Sequence, residues 1–164
     1  MEEKQVLILG NTASGKTKLI FRIKLSEAVT TIPTIGYNME TVDISNKHII
    51  LKDVGGQEKI RFLWKEHYSE ANGLIYVYDV NDANSFDASV QILKQVLVEP
   101  ELEGLPMLIM ANKIDLGYQM DPSSIVDAVG QDLFNGRDYI VFPCSAENGD
   151  GVADGMDWLA SQLK

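Results

Sequence analysis

Residues Gly10–Thr17 read GNTASGKT, a complete G-x-x-x-x-G-K-[ST] motif. The motif follows the apolar run Val6–Leu9 and precedes a helix-like stretch that begins at about Lys16. A loop of this kind binds phosphate between a strand and a helix, because its backbone N–H groups and the helix N-terminus point at the anion. The motif predicts Lys16 on the β- and γ-phosphates of a nucleotide and the Thr17 hydroxyl on Mg²⁺. The alternative is a glycine-rich turn with a chance lysine.

The composition indicates one globular domain over residues 1–164, with 45% hydrophobic and 23% charged residues. No apolar run approaches the roughly 20 residues that cross a bilayer. The net charge of −10 argues against nucleic acid or an anionic membrane as the main partner. The single cysteine, Cys144, fits a reducing compartment and is predicted to be a packing residue. His48 and His67 lack the spacing of metal ligands.

Strand-like and helix-like segments alternate along the chain, a pattern typical of a doubly wound α/β domain. Six strands are predicted, at Val6–Leu9, Met39–Ile44, Ile49–Val54, Leu74–Tyr78, Met107–Ala111 and Tyr139–Phe142. Helices are predicted at about 16–25, 85–98, 121–131 and 152–163, with Asn84 and Ser85 as caps of the second.

The sequence Ser45-Asn46-Lys47 predicts a hairpin that pairs the second strand with the third. We therefore expect a six-stranded, mostly parallel sheet with its second strand antiparallel at an edge and helices on both faces. Ligands of such sheets bind beyond the carboxyl ends of the strands, where each motif of this chain falls.

A D-x-x-G-Q motif, Asp53–Gln57, follows the third predicted strand. Asp53 is placed to hold Mg²⁺ through its water shell, since Mg²⁺ keeps several waters. Gly56 can offer its N–H to a γ-phosphate, and Gln57 can orient an attacking water for phosphoryl transfer. By itself this motif also fits a turn with two glycines.

An N-K-x-D motif, Asn112–Asp115, follows the fifth predicted strand. The Asp115 carboxylate can accept two hydrogen bonds from guanine, and adenine has no matching donors. The stem of Lys113 can lie across the base. Ser145 and Ala146 follow the last strand, where the Ala146 N–H is predicted to reach the guanine O6.

With these motifs in one order, the chain resembles the Arf and Arf-like branch of the Ras superfamily over almost its whole length. The branch-specific strings are residues 30–38 (TTIPTIGYN) and 53–61 (DVGGQEKIR), with Gly149–Gly151 and Asp157–Leu159 near the end. The resemblance implies a P-loop NTPase G domain that binds GTP or GDP with Mg²⁺, hydrolyses GTP slowly and acts as a molecular switch.

The motifs and the resemblance together give three sets of site residues. The predicted catalytic residues are Gln57, Lys16 and Gly56. The predicted metal ligands are Thr17 and Thr34, with Asp53 in the outer shell. The predicted nucleotide-binding residues are Asn11, Thr12, Ala13, Ser14, Gly15, Lys16, Thr17, Lys18, Thr34, Gly56, Asn112, Lys113, Asp115, Ser145 and Ala146.

The resemblance also implies two switch segments. Switch I would span about 28–38 and switch II about 54–68, with an interswitch at about 39–52 that slides along the sheet between nucleotide states. Thr34 would close on Mg²⁺ and the γ-phosphate only when GTP is bound.

Two residues near the phosphates depart from the family pattern. Thr12 stands where Arf proteins have Asp, which puts intrinsic turnover in question. Lys18 stands where a small residue or Thr is usual; it is either an added cation near the phosphates or a solvated lysine.

The surface that effectors read in Arf proteins is also altered. Tyr37 and Trp64 keep two of its aromatic residues, but Lys52 replaces a Trp and His67 a Tyr. The sequence therefore predicts a more charged contact surface, and the effectors of typical Arf proteins are not carried over to this chain.

Hydrolysis is expected to need help, because residues 29–38 contain no Arg that could stabilise the transition state. A GAP would supply that charge. The alternative is a GTP-gated binding module with negligible intrinsic hydrolysis. A small P-loop kinase is disfavoured, because the N-K-x-D motif has no role in one.

The resemblance implies a GEF, a GAP and an effector as partners, and a role in membrane traffic. Family members usually begin with a lipidated or acetylated amphipathic helix, whereas this sequence opens with Met1-Glu2-Glu3. A longer native chain with that helix is favoured over a member that reaches membranes through partners. The expected location is the cytoplasm, with peripheral membrane attachment in the GTP state.

Overall fold

The computed structural model describes residues 2–11, 14–25, 31–34, 37–53, 65–118 and 120–163, without the side chains of 25, 31–34, 37 and 38. The described part contains strands β1 Glu2–Gly10, β2 Thr31–Thr34, β3 Tyr37–Ile44, β4 Lys47–Asp53, β5 Gly73–Asp79, β6 Met107–Asn112 and β7 Tyr139–Pro143. Its α-helices are α1 Lys16–Leu25, α2 Ala83–Leu97, α3 Ser124–Val129 and α4 Val152–Gln162. Short 3₁₀ helices lie at Pro100–Leu102, Ile114–Leu116 and Gln131–Phe134.

The described strands form one sheet in the order β2-β3-β4-β1-β5-β6-β7. Strand β1 pairs in parallel with β4 and β5, and β6 pairs in parallel with β5 and β7. Strand β3 is antiparallel to both of its neighbours, β2 and β4. The predicted fold class is confirmed, and a short seventh strand, β2, is added outside the antiparallel one.

Two hydrophobic layers cover the sheet, because alternate residues of β1 face opposite sides. Leu7 and Leu9 belong to a core that includes α2 and α3 residues. Val6 and Ile8 belong to a second core with residues from α1 and α4. The prediction of helices on both faces is therefore confirmed. Cys144 is fully buried in the second core, as predicted.

The predicted hairpin between β3 and β4 is confirmed. Ile44 pairs with Lys47 across a two-residue turn in which Ser45 and Asn46 have φ of 51° and 63°. Two successive positive φ angles identify a type I′ turn, whose twist matches that of the strands.

Two predicted helix boundaries are wrong. Asp82, not Asn84 or Ser85, caps α2: its carboxylate accepts the Asn84 and Ser85 N–H groups at 3.0 and 3.2 Å, so α2 begins at Ala83. Helix α3 ends at Val129, short of the predicted boundary, because the chain turns at Gly130 with φ of 102°. Within the described residues, no helix has the length and apolarity to cross a membrane.

Candidate functional site: a phosphate loop and a base pocket at the carboxyl edge of the sheet

The predicted site residues converge because five parallel strands end at the same edge of the sheet. Strand β1 ends at Gly10, β4 at Asp53, and β6 at Asn112, which pairs with Asp79 at the end of β5. Ser145 lies two residues beyond β7. Side chains far apart in sequence therefore line one cleft.

Two glycines of the phosphate loop stand where a side chain has no room. A Cβ on Gly10 would lie 2.4 Å from the Val77 backbone oxygen. Gly15 has φ of 97°, and a Cβ there would lie 2.3 Å from Asn112 Nδ2. The glycines thus bring the loop against β5 and against the N-K-x-D motif.

The loop passes directly into the N-terminus of α1. The Ser14 N–H donates to the Asn11 oxygen at 3.2 Å, and the Leu19 N–H donates to the Gly15 oxygen at 2.9 Å. Ser14 Oγ is buried and has no hydrogen-bond partner among the described residues. An open helix N-terminus beside an unused hydroxyl suits an anion. Thr12 and Ala13 lie outside the described residues.

Lys16 and Asp53 form a buried ion pair at the base of the cleft. Lys16 Nζ lies 3.2 Å from Asp53 Oδ1, and the side chains are each 6% exposed. Burial lowers the pKa of Lys16, and the charge and hydrogen bond of Asp53 oppose that shift. The structure thus joins the phosphate-loop lysine to the predicted magnesium carboxylate.

The two predicted metal-binding threonines are not equally placed. Thr17 opens α1 next to Lys16 and is exposed. Thr34 is the last residue of β2 and pairs with Tyr37 of β3. The next residue of β3, Asn38, pairs with Asp53 of β4. Since β3 separates β2 from β4, the Thr34 backbone lies about 10 Å across the sheet from β4. Gly56 and Gln57 lie outside the described residues.

Asn112 connects the phosphate loop to the loop after β7. Its Nδ2 donates to the Ser14 oxygen at 3.0 Å, and its Oδ1 accepts the Ala146 N–H at 3.0 Å. Asn112 is 1% exposed, so both bonds are shielded from water. The Ala146 N–H, predicted to reach the guanine O6, has Asn112 as its acceptor here because the buried amide oxygen needs a donor.

A pocket of about 560 Å³ opens beside this connection. Asp115 lines it and accepts the Ser145 hydroxyl on Oδ1 at 2.8 Å. Lys113 also lines it, with a left-handed φ of 74° and its ammonium 3.1 Å from Asp79 Oδ2. The pocket is also lined by Gly15, Lys18, Asn112, Leu116, Ala146 and Glu147. Its volume suits a purine base, and its carboxylate suits a base edge that donates hydrogen bonds.

Two side chains of α1 bond to Ala146 and Glu147, which line one side of this pocket. Lys18 pairs with the Glu147 carboxylate; both side chains are more than half exposed. Arg22, one turn later, donates to the Ala146 oxygen at 3.1 Å and also to the Glu147 oxygen. Lys18 therefore lines the nucleotide pocket, and its ammonium has a protein partner.

The sequence reasoning missed four residues that shape the site: Asp79, Asn81, Arg22 and Glu147. Asp79 and Asn81 form a D-x-N pattern that begins at the last residue of β5, so the rule that ligands gather at strand ends could have found them. No sequence signal marks Arg22, because it acts on backbone oxygens distant in the chain.

Comparison with known proteins identifies the family. The model of the ADP-ribosylation factor family matches residues 1–163. The chain belongs to the ADP-ribosylation factor family. Among solved structures, it is similar to the Arl6 BBS3 small GTPase from Trypanosoma brucei with bound GppNp. The two are 28% identical, with a TM-score of 0.83 over 97% of this chain and 96% of that chain.

The family and the geometry of the cleft both indicate a guanine-nucleotide site. This ADP-ribosylation factor family member is a GTP-binding switch and a GTP-hydrolysing enzyme. The phosphate loop and the base pocket lie next to each other, as a bound guanine nucleotide requires, and Asn112 links them.

Proposed function

We propose that this chain is an Arf-like switch that holds GTP or GDP with Mg²⁺ across the cleft and hydrolyses GTP slowly. The observation that carries the proposal is the Asn112 side chain, which bonds both to the phosphate loop and to the loop behind the base pocket. Phosphates on Lys16 and a base on Asp115 would thereby be held at a fixed separation.

Each end of the nucleotide has a partner of matching chemistry. Lys16 and the amides at the start of α1 would bind the phosphates. Asp115, fixed by Ser145, would accept hydrogen bonds from guanine, and the Lys113 stem would cover the base. Adenine would leave the carboxylate without donors, which disfavours ATP.

The donor set fits Mg²⁺ better than a metal held by protein alone. Among the described residues, no group of three or more His, Cys, Asp or Glu side chains could hold an ion. The exposed Thr17 hydroxyl and the Asp53 carboxylate suit Mg²⁺, which binds few protein ligands and keeps waters and phosphate oxygens. The bound ion would neutralise phosphate charge. Lys16 also places a positive charge beside Asp53.

The placement of Thr34 supports a switch that rearranges. Thr34 is in the edge strand β2, across the sheet from Asp53. To reach a metal beside Asp53, it would have to leave its pairing with Tyr37. We propose that GTP stabilises the state in which residues 31–34 have left the sheet and that the paired state suits GDP.

Hydrolysis would depend on Gln57, which orients the attacking water, with Gly56 sensing the γ-phosphate. Because residues 29–38 contain no Arg, intrinsic turnover should be on the order of 10⁻⁴ to 10⁻³ per second, and a GAP would accelerate it.

Replacing the water-orienting side chain tests this catalytic assignment. Gln57→Leu is expected to leave GTP binding intact and to lower single-turnover hydrolysis by at least about tenfold, with and without a GAP. Asn84→Leu, an exposed change on α2, is the matched control. GAP-stimulated hydrolysis that survives Gln57→Leu unaltered would contradict the assignment. Absence of hydrolysis in the wild type with every GAP tried would favour the GTP-gated binding module.

Partners follow from the family and from the surface beside the switches. A GEF, a GAP and an effector are expected as partners. We expect the protein to be in the cytoplasm and, in the GTP state, attached to a membrane, where it would act in membrane traffic. Lys52 is nearly buried and bonds Glu70 Oε2 at 3.0 Å, which lowers the pKa of Glu70. Burial and the Lys52 charge lower the pKa of His67. The effector would therefore meet the exposed carboxylate of Glu70, paired with Lys52, beside a His67 ring that is neutral at pH 7.

A further inference from the structure

We propose that Asp79 and Asn81 are positioning residues that hold the turn carrying Asp115, and so set how strongly the protein prefers guanine. The inference rests on the proposed role of Asp115 as the base-reading carboxylate. Neither residue lines the pocket; Asp79 is the last residue of β5 and Asn81 lies two residues beyond it.

Asn81 fixes both ends of the turn with one amide group. Its Nδ2 donates to the Lys113 oxygen at 2.6 Å and to the Gly117 oxygen at 2.8 Å. Between these carbonyls lies the 3₁₀ helix Ile114–Leu116, which carries Asp115. Both partners are acceptors, so only the amide nitrogen can face them, and its two hydrogens are both used.

Asp79 secures the same turn through its two carboxylate oxygens. Oδ1 accepts the Asn81 N–H at 2.7 Å and so fixes the backbone of the clamping residue. Oδ2 lies 3.1 Å from Lys113 Nζ. Lys113 has φ of 74°, a conformation that residues other than glycine rarely adopt. The surrounding bonds therefore stabilise a backbone conformation that is unfavourable for a lysine by itself.

The opposite side of the turn is held by the loop that follows β7. The Ile114 N–H donates to the Cys144 oxygen at 3.2 Å, and the Ser145 hydroxyl donates to Asp115 at 2.8 Å. Asp115 is thus fixed from two sides, and the Asp79–Asn81 side acts without touching the base. Because recognition by a carboxylate depends on its exact placement, loosening one side should weaken base discrimination more than phosphate binding.

The test compares GDP with inosine diphosphate, which lacks the exocyclic amine that Asp115 would accept. Asn81→Asp places a carboxylate against the two carbonyl oxygens, so the turn should open. The ratio of the dissociation constants for inosine diphosphate and GDP, measured by competition in the full chain, should fall by about tenfold. Asn84→Asp makes the same change at an exposed site three residues on and should keep the wild-type ratio.

A purely structural role would weaken both ligands equally, so an unchanged ratio in Asn81→Asp would overturn the proposal. If that variant does not fold, Asp79→Asn serves in its place. It keeps the oxygen that accepts the Asn81 N–H and removes the charge opposite Lys113, so the ratio should fall about threefold; an unchanged ratio there overturns the proposal as well. Wild-type protein that binds the two nucleotides equally would instead overturn the proposed function of Asp115.

Discussion

At the scale of single residues, Gly15 determines how closely the phosphate loop approaches the base site. Its missing side chain leaves the Asn112 amide room to bond the Ser14 oxygen at 3.0 Å. A Cβ would come within 2.3 Å of that amide. Gly15 therefore has two roles. It adopts a positive φ, as any glycine can, and it leaves the space that Asn112 needs to bond to the phosphate loop.

We predict that Gly15→Ala lowers GDP affinity by at least about a hundredfold, because Asn112 must move and the phosphate loop loses its anchor. The matched control is Gly130→Ala, whose φ of 102° is close to the 97° of Gly15 but whose Cβ would meet nothing within 4 Å. It should cost about 1–3 kcal/mol of stability from backbone strain and leave GDP affinity unchanged. Titration of GDP and thermal unfolding measure the two effects. Equal losses of affinity in both variants would show that strain alone matters.

At the scale of elements, the central strands could be predicted because their residues are continuously apolar. Leu74–Tyr78 and Met107–Ala111 are covered on both faces and belong to interior strands of the sheet. Strand β2 could not be predicted in this way, since Thr31–Thr34 is short and polar and contains Pro33. Among the described strands, it pairs with β3 alone and lies at the edge of the sheet, where a proline is tolerated.

The phosphate loop and base motif could be predicted because their residue types are set by the ligand and their place by the strand ends. Asp79 and Asn81 could not, because they act on backbone oxygens and a neighbouring lysine whose positions exist only in the folded chain. The hydrogen bonds of Asn112 could not be predicted for the same reason. Its motif was identified, but its two bonds to Ser14 and Ala146 follow from three loops meeting.

At the scale of the whole molecule, the charge of −10 confines anion binding to a local site. Lys16 and the N-terminus of α1 are the predicted site, and a net charge of this sign disfavours a polyanion such as nucleic acid as a partner. The two cores on either side of the sheet provide the rigid frame on which the loops are carried.

The stability of the molecule should fall at alkaline pH. Burial raises the pKa of Cys144 and of Tyr68 to about 12, from ordinary values of 9.0 and 10.0, and it raises the pKa of Tyr78 too. A raised pKa means that the folded state keeps its proton when the unfolded state loses it. The stabilisation is complete below the unfolded value and is lost as the pH rises through the folded one, so unfolding free energy should decline from about pH 9 upward.

Urea unfolding from about pH 8 to about pH 11 measures this decline. Tyr78→Phe removes a buried titrating group and should make the slope shallower. Tyr118→Phe changes a ring that is 57% exposed and should leave the slope as in the wild type. A wild-type stability that stays level over this range would contradict the assignment of buried, protonated groups.

The central claim is that Asp115 reads guanine in a pocket joined to a phosphate loop, and exchanging its hydrogen-bonding pattern tests it most directly. Competition binding of GDP, ADP and xanthosine diphosphate should show a wild-type preference for GDP of about a thousandfold or more. Xanthine carries an oxygen where guanine carries the amine, so Asp115→Asn, which can donate to that oxygen, should prefer xanthosine diphosphate. An Asp115→Asn variant that keeps the wild-type preference for GDP would contradict the account.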